Sequence, residues 1–110
     1  MEHSILFKGK EIALDEDGHL RDPNDWSTDL AEYFASNDEI KLAENHWEII
    51  NLVREYYKHY QISPGIKMLL RHVYEVLGPE KGNAKYMYDL FPNGPSKMTC
   101  LYAGVPRYRG

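Results

Sequence analysis

The sequence predicts a mainly helical fold: a small helical bundle, opened by an N-terminal β-hairpin and followed by a flexible C-terminal arm. Three observations predict it. Apolar residues recur at helical spacing through 43–60 and 66–77. Helix-starting residues, Ser27, Ser63-Pro64, Asn83 and Pro95, stand ahead of apolar segments. Apolar and polar residues alternate only near the start, where Ile5 and Phe7 face Ile12 and Leu14 across Lys8-Gly9-Lys10.

Each element follows from its residues. Gly9 permits the tight turn of the hairpin, and Asp15-Glu16-Asp17-Gly18 and Asp22-Pro23-Asn24-Asp25 are further turns. The positions beyond Asp15 hold Leu20 and Arg21 where a calcium loop needs oxygen ligands, so the acidic run reads as a solvated turn. Ser27 and Asp29 open a helix with Leu30, Tyr33 and Phe34 on one face, ended by Asn37-Asp38. The stretch 43–60 carries two stripes, Trp47, Ile50, Val53 and Tyr57 beside Ile49, Leu52, Tyr56 and Tyr60, and is expected to be the centre of the core. Ser63 is expected to cap the next helix, with Pro64 at its first position and Ile66, Leu69, Leu70, Val73 and Leu77 on its apolar face up to Gly78-Pro79. Asn83 caps a short helix with Tyr86, Met87 and Leu90, and Pro95 starts a last one through Cys100 and Tyr102 that Gly104 and Pro106 break. Residues 1–104 then form one domain, and 105–110 a mobile arm.

Composition bounds the function. The chain has 110 residues, 43% hydrophobic and 13% aromatic, enough to close one core and no more. No apolar run approaches the roughly 18 residues of a membrane span; Met68-Leu69-Leu70 is cut off by Lys67 and Arg71. Met1-Glu2-His3-Ser4 lacks the basic and apolar regions of a signal peptide, so the expected compartment is the cytoplasm, in keeping with a single cysteine. The net charge of -4 hides an asymmetry: residues 1–53 hold four Lys/Arg against thirteen Asp/Glu, residues 54–110 nine against four. The C-terminal half can present a basic face to an acidic partner, a phosphate or a thiolate, or the two halves are simply solvated faces of opposite sign.

Several chemistries lack their residues. His3, His19, His46, His59 and His72 show no i, i+4 zinc pair, and no metal or cofactor is expected. There is no G-x-S-x-G elbow and no phosphate-cradling glycine loop. The first half's carboxylates lie on solvated turns, where nothing raises a pKa for acid-base work. Tyr56, Tyr57, Tyr60, Tyr86 and Tyr88 could stack bases, but at helical spacing they read as core. Cys100 remains. Lys97, Arg107 and Arg109 are near it in sequence and could depress its pKa from about 8.5; equally, it reads as a small buried apolar filler beside Leu101.

Taken together, Leu14-Asp15-Glu16-Asp17-Gly18, His46-Trp47-Glu48-Ile49-Ile50, Val53-Arg54-Glu55-Tyr56-Tyr57, Ser63-Pro64-Gly65-Ile66-Lys67-Met68-Leu69, Gly82-Asn83-Ala84-Lys85-Tyr86, Leu90-Phe91-Pro92-Asn93-Gly94-Pro95 and Ala103-Gly104-Val105-Pro106 resemble the DsrC/TusE family of small sulfur-relay proteins, nearly end to end. The resemblance implies a helical bundle with an N-terminal hairpin. It also implies cytoplasmic sulfur traffic, in which a cysteine persulfide is received and handed on toward 2-thiolation of the tRNA wobble uridine or within the sulfite reductase system. The family's principal carrier is the penultimate residue of an arm ending Gly-Cys-X. This sequence reads Arg109-Gly110 there, and Tyr108 stands where a proline is usual. The resemblance therefore implies a divergent member lacking the penultimate carrier cysteine, whose only candidate carrier is Cys100, at the position of the family's internal cysteine. Lys97, Arg107 and Arg109 would assist the thiolate or docking, and the arm with Tyr108 would enter a partner's cleft. The implied partners are sulfur-relay proteins or dissimilatory sulfite reductase, with an indirect link to tRNA, no direct nucleic-acid binding and no membrane. One alternative is a non-catalytic docking or regulatory subunit. Another is a helix-turn-helix-like regulator joined at Gln61-Ile62-Ser63-Pro64, with only Lys67 and Arg71 available for phosphates.

Overall fold

The computed structural model describes residues 3–109. Strands β1 (His3–Phe7) and β2 (Lys10–Leu14) pair antiparallel, with His3 opposite Leu14 and Phe7 opposite Lys10. Lys8 and Gly9 both have positive φ, 50° and 79°, as the favoured two-residue hairpin turn requires. Ile12 and Leu14 point into the core and Leu6 points out. A single 3-10 turn at Pro23–Asp25 leads into five helices: α1 (Thr28–Asn37), α2 (Glu44–Tyr60), α3 (Ile66–Leu77), α4 (Ala84–Leu90) and α5 (Pro95–Ala103). Among the described residues, no helix is long and apolar enough to cross a membrane.

The helix starts are those the residues prescribe, with one exception. Ser27 accepts from the Leu30 N–H at 3.1 Å and Asn83 from the Tyr86 N–H at 2.9 Å, satisfying amides that an uncapped helix leaves open. Pro95 occupies the first turn of α5. Ser63, expected to cap α3, does not: the helix starts two residues later, at Ile66 with Gly65 as its N-cap, and the Ser63 hydroxyl donates instead to the Pro106 carbonyl. Helix α2 ends on Gln61 in the left-handed region; its backbone N–H donates to the Tyr57 carbonyl, and its side-chain amide to the carbonyls of Tyr57 and Lys58.

The centre of the core is not α2. The nine-residue α5 packs against α1, α2, α3 and α4, with Met98, Thr99, Cys100, Tyr102 and Ala103 all buried. Helix α2 contributes Ile49, Ile50, Val53 and Tyr56, while Tyr60 is exposed. Helix α1 turns in Leu30, Ala31, Phe34 and Ala35; Tyr33 sits at the rim, its ring 5.4 Å from that of Phe7. A helix enclosed on nearly all sides has no polar face, so it lacks the stripe by which α2 announces itself.

Candidate functional site

The only cysteine of the chain stands on this central helix. Cys100 is fully buried, and the end of its helix is held with unusual completeness. The N–H of Val105 returns to the Cys100 carbonyl at 3.1 Å and that of Gly104 to the Leu101 carbonyl at 3.3 Å, a Schellman closure with Gly104 at φ 73°. Trp26 Nε1 donates to the Tyr102 carbonyl at 2.7 Å, and Arg54 Nη1 to the Ala103 carbonyl at 2.9 Å. The Arg54 guanidinium lies 3.6 Å from the centre of the Trp26 ring, a stacked cation–π pair. A Cβ on Gly104 would fall 2.5 Å from Trp26 Cδ1, so glycine is needed there for contact as well as for φ.

After Gly104 the chain turns back across the body. The buried His19 imidazole donates from Nδ1 to the Val105 carbonyl at 2.9 Å. Ser63 holds the Pro106 carbonyl, and the Tyr108 ring covers Gly65, where an added Cβ would lie 2.5 Å from Tyr108 Cε2. Arg107 Nη1 reaches Asp17 Oδ1 at 3.4 Å; Arg109 pairs with Asp17 and, at 3.3 Å, with Glu16. The acidic turn is built to face them. Asp15 Oδ1 accepts from the N–H groups of Asp17 and His19, at 2.8 and 3.0 Å, which fixes the loop carrying both carboxylates. The arm, described as far as Arg109, is thus laid over the body; Gly110 lies outside the described residues.

The sulfur lies beneath this segment. Its hydrogen-bonding neighbours are the hydroxyls of Ser63, Ser96 and Thr99 and the backbone N–H of Tyr108. Burial wins over all four and pushes the thiol pKa up from 9.0 to about 11. The hydroxyls oppose this weakly because each has one proton and directs it to a carbonyl: Ser63 to Pro106, Ser96 to Pro64 at 2.8 Å and Thr99 to Pro95 at 2.6 Å. As arranged, Cys100 is a protonated, shielded group.

The predicted residues are brought together only in part. Tyr108 meets the sulfur through its backbone. Lys97, Arg107 and Tyr108 line a surface cleft of about 270 Å³ with Ile66, Tyr88 and Ser96. Arg107 and Arg109 pair with the acidic turn. The expectation that nearby cations depress the thiol pKa is corrected: exclusion of water sets its sign. Sequence reading missed Ser63, Ser96, Thr99, His19, Glu16 and Asp17. Only Ser96, four residues before Cys100 and so on the same helix face, left a local signal. Among the described residues, no cluster of three or more His, Cys, Asp or Glu could hold a metal ion.

Comparison with known proteins places this architecture. The family described as DsrC like protein matches residues 6–110. Sulfurtransferase TusE of Photorhabdus laumondii is 43% identical over 103 residues, covering 94% of this chain and 93% of that protein; TusE of Escherichia coli is 42% identical, covering 94% of each. The NMR structure of Allochromatium vinosum DsrC superposes with a TM-score of 0.90 at 47% identity, over 100% of this chain and 98% of that one. The crystal structure of the oxidized gamma-subunit of the dissimilatory sulfite reductase (DsrC) from Archaeoglobus fulgidus gives 0.82 at 38% identity, over 98% of each. The superpositions and the family match take in nearly the whole chain, and the chain belongs to the DsrC family.

Proposed function

We propose that this chain is a sulfur-relay protein of the cytoplasm that carries persulfide sulfur on Cys100 between partner proteins. The observation that carries the reading is likeness over the whole chain to sulfurtransferases and DsrC proteins, together with a single cysteine under the returning arm. The chemistry is an exchange. The Cys100 thiolate attacks the outer sulfur of a donor persulfide; the new S–S bond forms as the donor's breaks, and the donor's inner sulfur leaves with the electron pair as a thiolate. The outer sulfur arrives as it was in the donor, so no oxidant, reductant, metal or cofactor enters. Arg107, Arg109 and Lys97 serve docking, and Tyr108 positions the arm over the sulfur. The partners are relay proteins that feed tRNA thiolation, or a sulfite reductase.

Incubation with a persulfide donor followed by intact mass spectrometry tests this. A gain of about 32 Da, one sulfur atom, is expected on the wild type and absent from Cys100→Ala. Equal spectra for the two would overturn it.

A second reading, a docking or regulatory subunit without transfer, is favoured by one observation, the buried thiol with its raised pKa. It predicts partner binding that survives Cys100→Ala and falls when residues 105–110 are deleted.

A further inference from the structure

We propose that the acidic turn Glu16-Asp17 is an electrostatic latch for the C-terminal arm, and that opening it is what admits reagents and partners to Cys100. The inference rests on Cys100 being the working group and concerns how access to it is controlled.

The arm's attachments fall into two sets. Its root cannot leave without breaking the end of α5: the Val105 N–H closes the Schellman turn, its carbonyl is held by buried His19, and its side chain is buried. Beyond Val105 the attachments are few. They are the Ser63 bond to Pro106, the Tyr108 N–H toward the buried sulfur, the Tyr108 ring laid on Gly65, and, at the surface, the ion pairs of Arg107 and Arg109 with Asp17 and Glu16. Residues 106–109 can therefore lift as a flap that turns after Val105. The part that lifts is the part that covers the sulfur, since Ser63, relieved of Pro106, and the Tyr108 N–H are two of its four polar neighbours. Two grooves adjoin the flap, one of about 470 Å³ lined by Tyr56, Ile62, Met68 and Tyr108 and one of about 300 Å³ lined by Tyr57, Gln61 and residues 106–109, which leaves open space beside it. The ion pairs are the part of this closure that depends on solution conditions. Their side chains are exposed by half or more, except that of Asp17, and such pairs are individually weak and screened by salt. Two arginines converging on one fixed turn make a closure that an acidic partner surface can compete away.

The test is the rate at which iodoacetamide alkylates Cys100 in the native full chain at fixed pH 8, where modification reports the open population. Raising NaCl from low to about 1 M accelerates the wild type several-fold. Reversing one side of the latch, as Arg107→Glu with Arg109→Glu or as Glu16→Lys with Asp17→Lys, accelerates it by about ten-fold. Combining both reversals returns the rate to within about three-fold of the wild type, an outcome that general destabilisation cannot produce. Gly65→Ala, at φ -76° and free of backbone strain, pushes the Tyr108 ring away and accelerates alkylation with every charge intact. One-sided reversals that alkylate at the wild-type rate, or a double reversal that is faster still, overturn the latch. Persulfide loading, measured separately, keeps the two ideas apart. Gated alkylation without any loading leaves the latch standing and removes the carrier; normal loading with ungated alkylation does the opposite.

Discussion

Raising the pH titrates the Cys100 thiol, and the structure sets what that does to stability. In the unfolded chain the thiol ionises near 9; in the folded chain burial holds it protonated to about 11. The folded pKa lies above the unfolded one, so the resulting stabilisation is fully present below pH 9 and is lost as the pH rises toward 11. A rise of that size corresponds to about 2–3 kcal/mol of unfolding free energy. Lysines and tyrosines titrate over the same range, so the wild type alone would not isolate the effect. Urea denaturation of the wild type and Cys100→Ala at pH 8, 9, 10 and 11 does, because every other group is common to both. Cys100→Ala is expected to start about 1 kcal/mol less stable, from the lost burial of the sulfur. The wild type's advantage should then shrink and reverse by pH 11. Two parallel curves would refute the argument, since they would mean that the thiol keeps its hydration in the fold. The same pKa leaves only about one folded molecule in a thousand as thiolate at pH 8, a direct cause of slow alkylation.

Other outcomes follow from named contacts. The Tyr102 hydroxyl donates to Asp38 Oδ2 at 2.5 Å, and burial with that carboxylate raises its pKa; Tyr102→Phe should cost about 1–2 kcal/mol in chemical denaturation. Gly104→Ala places a Cβ against Trp26 at positive φ and should cost about 2–4 kcal/mol, with a change in tryptophan fluorescence as the indole leaves the Tyr102 carbonyl. His46 accepts the Ala43 N–H at Nδ1 and gives its Nε2 proton to the Leu90 carbonyl, so it is bound neutral, with its pKa lowered by burial. Stability from this arrangement is present above pH 6.5 and lost as the pH falls through the lowered pKa; His46→Gln should flatten the decline between pH 7 and 5, read by thermal unfolding.

What the sequence discloses divides along a physical line. Local chemistry was legible. The hairpin followed from alternation and Lys8-Gly9, α1 and α4 from Ser27 and Asn83, and α2 from its long apolar stripe. Family membership was legible too, because short motifs occur in order from residue 14 to residue 106. What stayed hidden depends on distant residues. The core position of α5 leaves no periodic trace, since a helix enclosed all round has no face to mark. Ser63 had the credentials of a helix cap, and only the return of residue 106 to its side claims the hydroxyl. For the same reason the sequence left Cys100 open between a cation-assisted thiol and a buried filler: its burial depends on the chain folding over it, and carboxylates some ninety residues away pair with Arg107 and Arg109.

The way α5 ends has a consequence for traffic. The Cys100 carbonyl takes the Val105 amide, and Trp26 and Arg54 clamp the carbonyls of Tyr102 and Ala103, so the backbone that bears the sulfur is tied down from several sides. Such a group is a fixed berth. On the reading of Cys100 as the carrier, a donor brings its reactive atom to a sulfur that stays in place, rather than to one carried out on a moving tail.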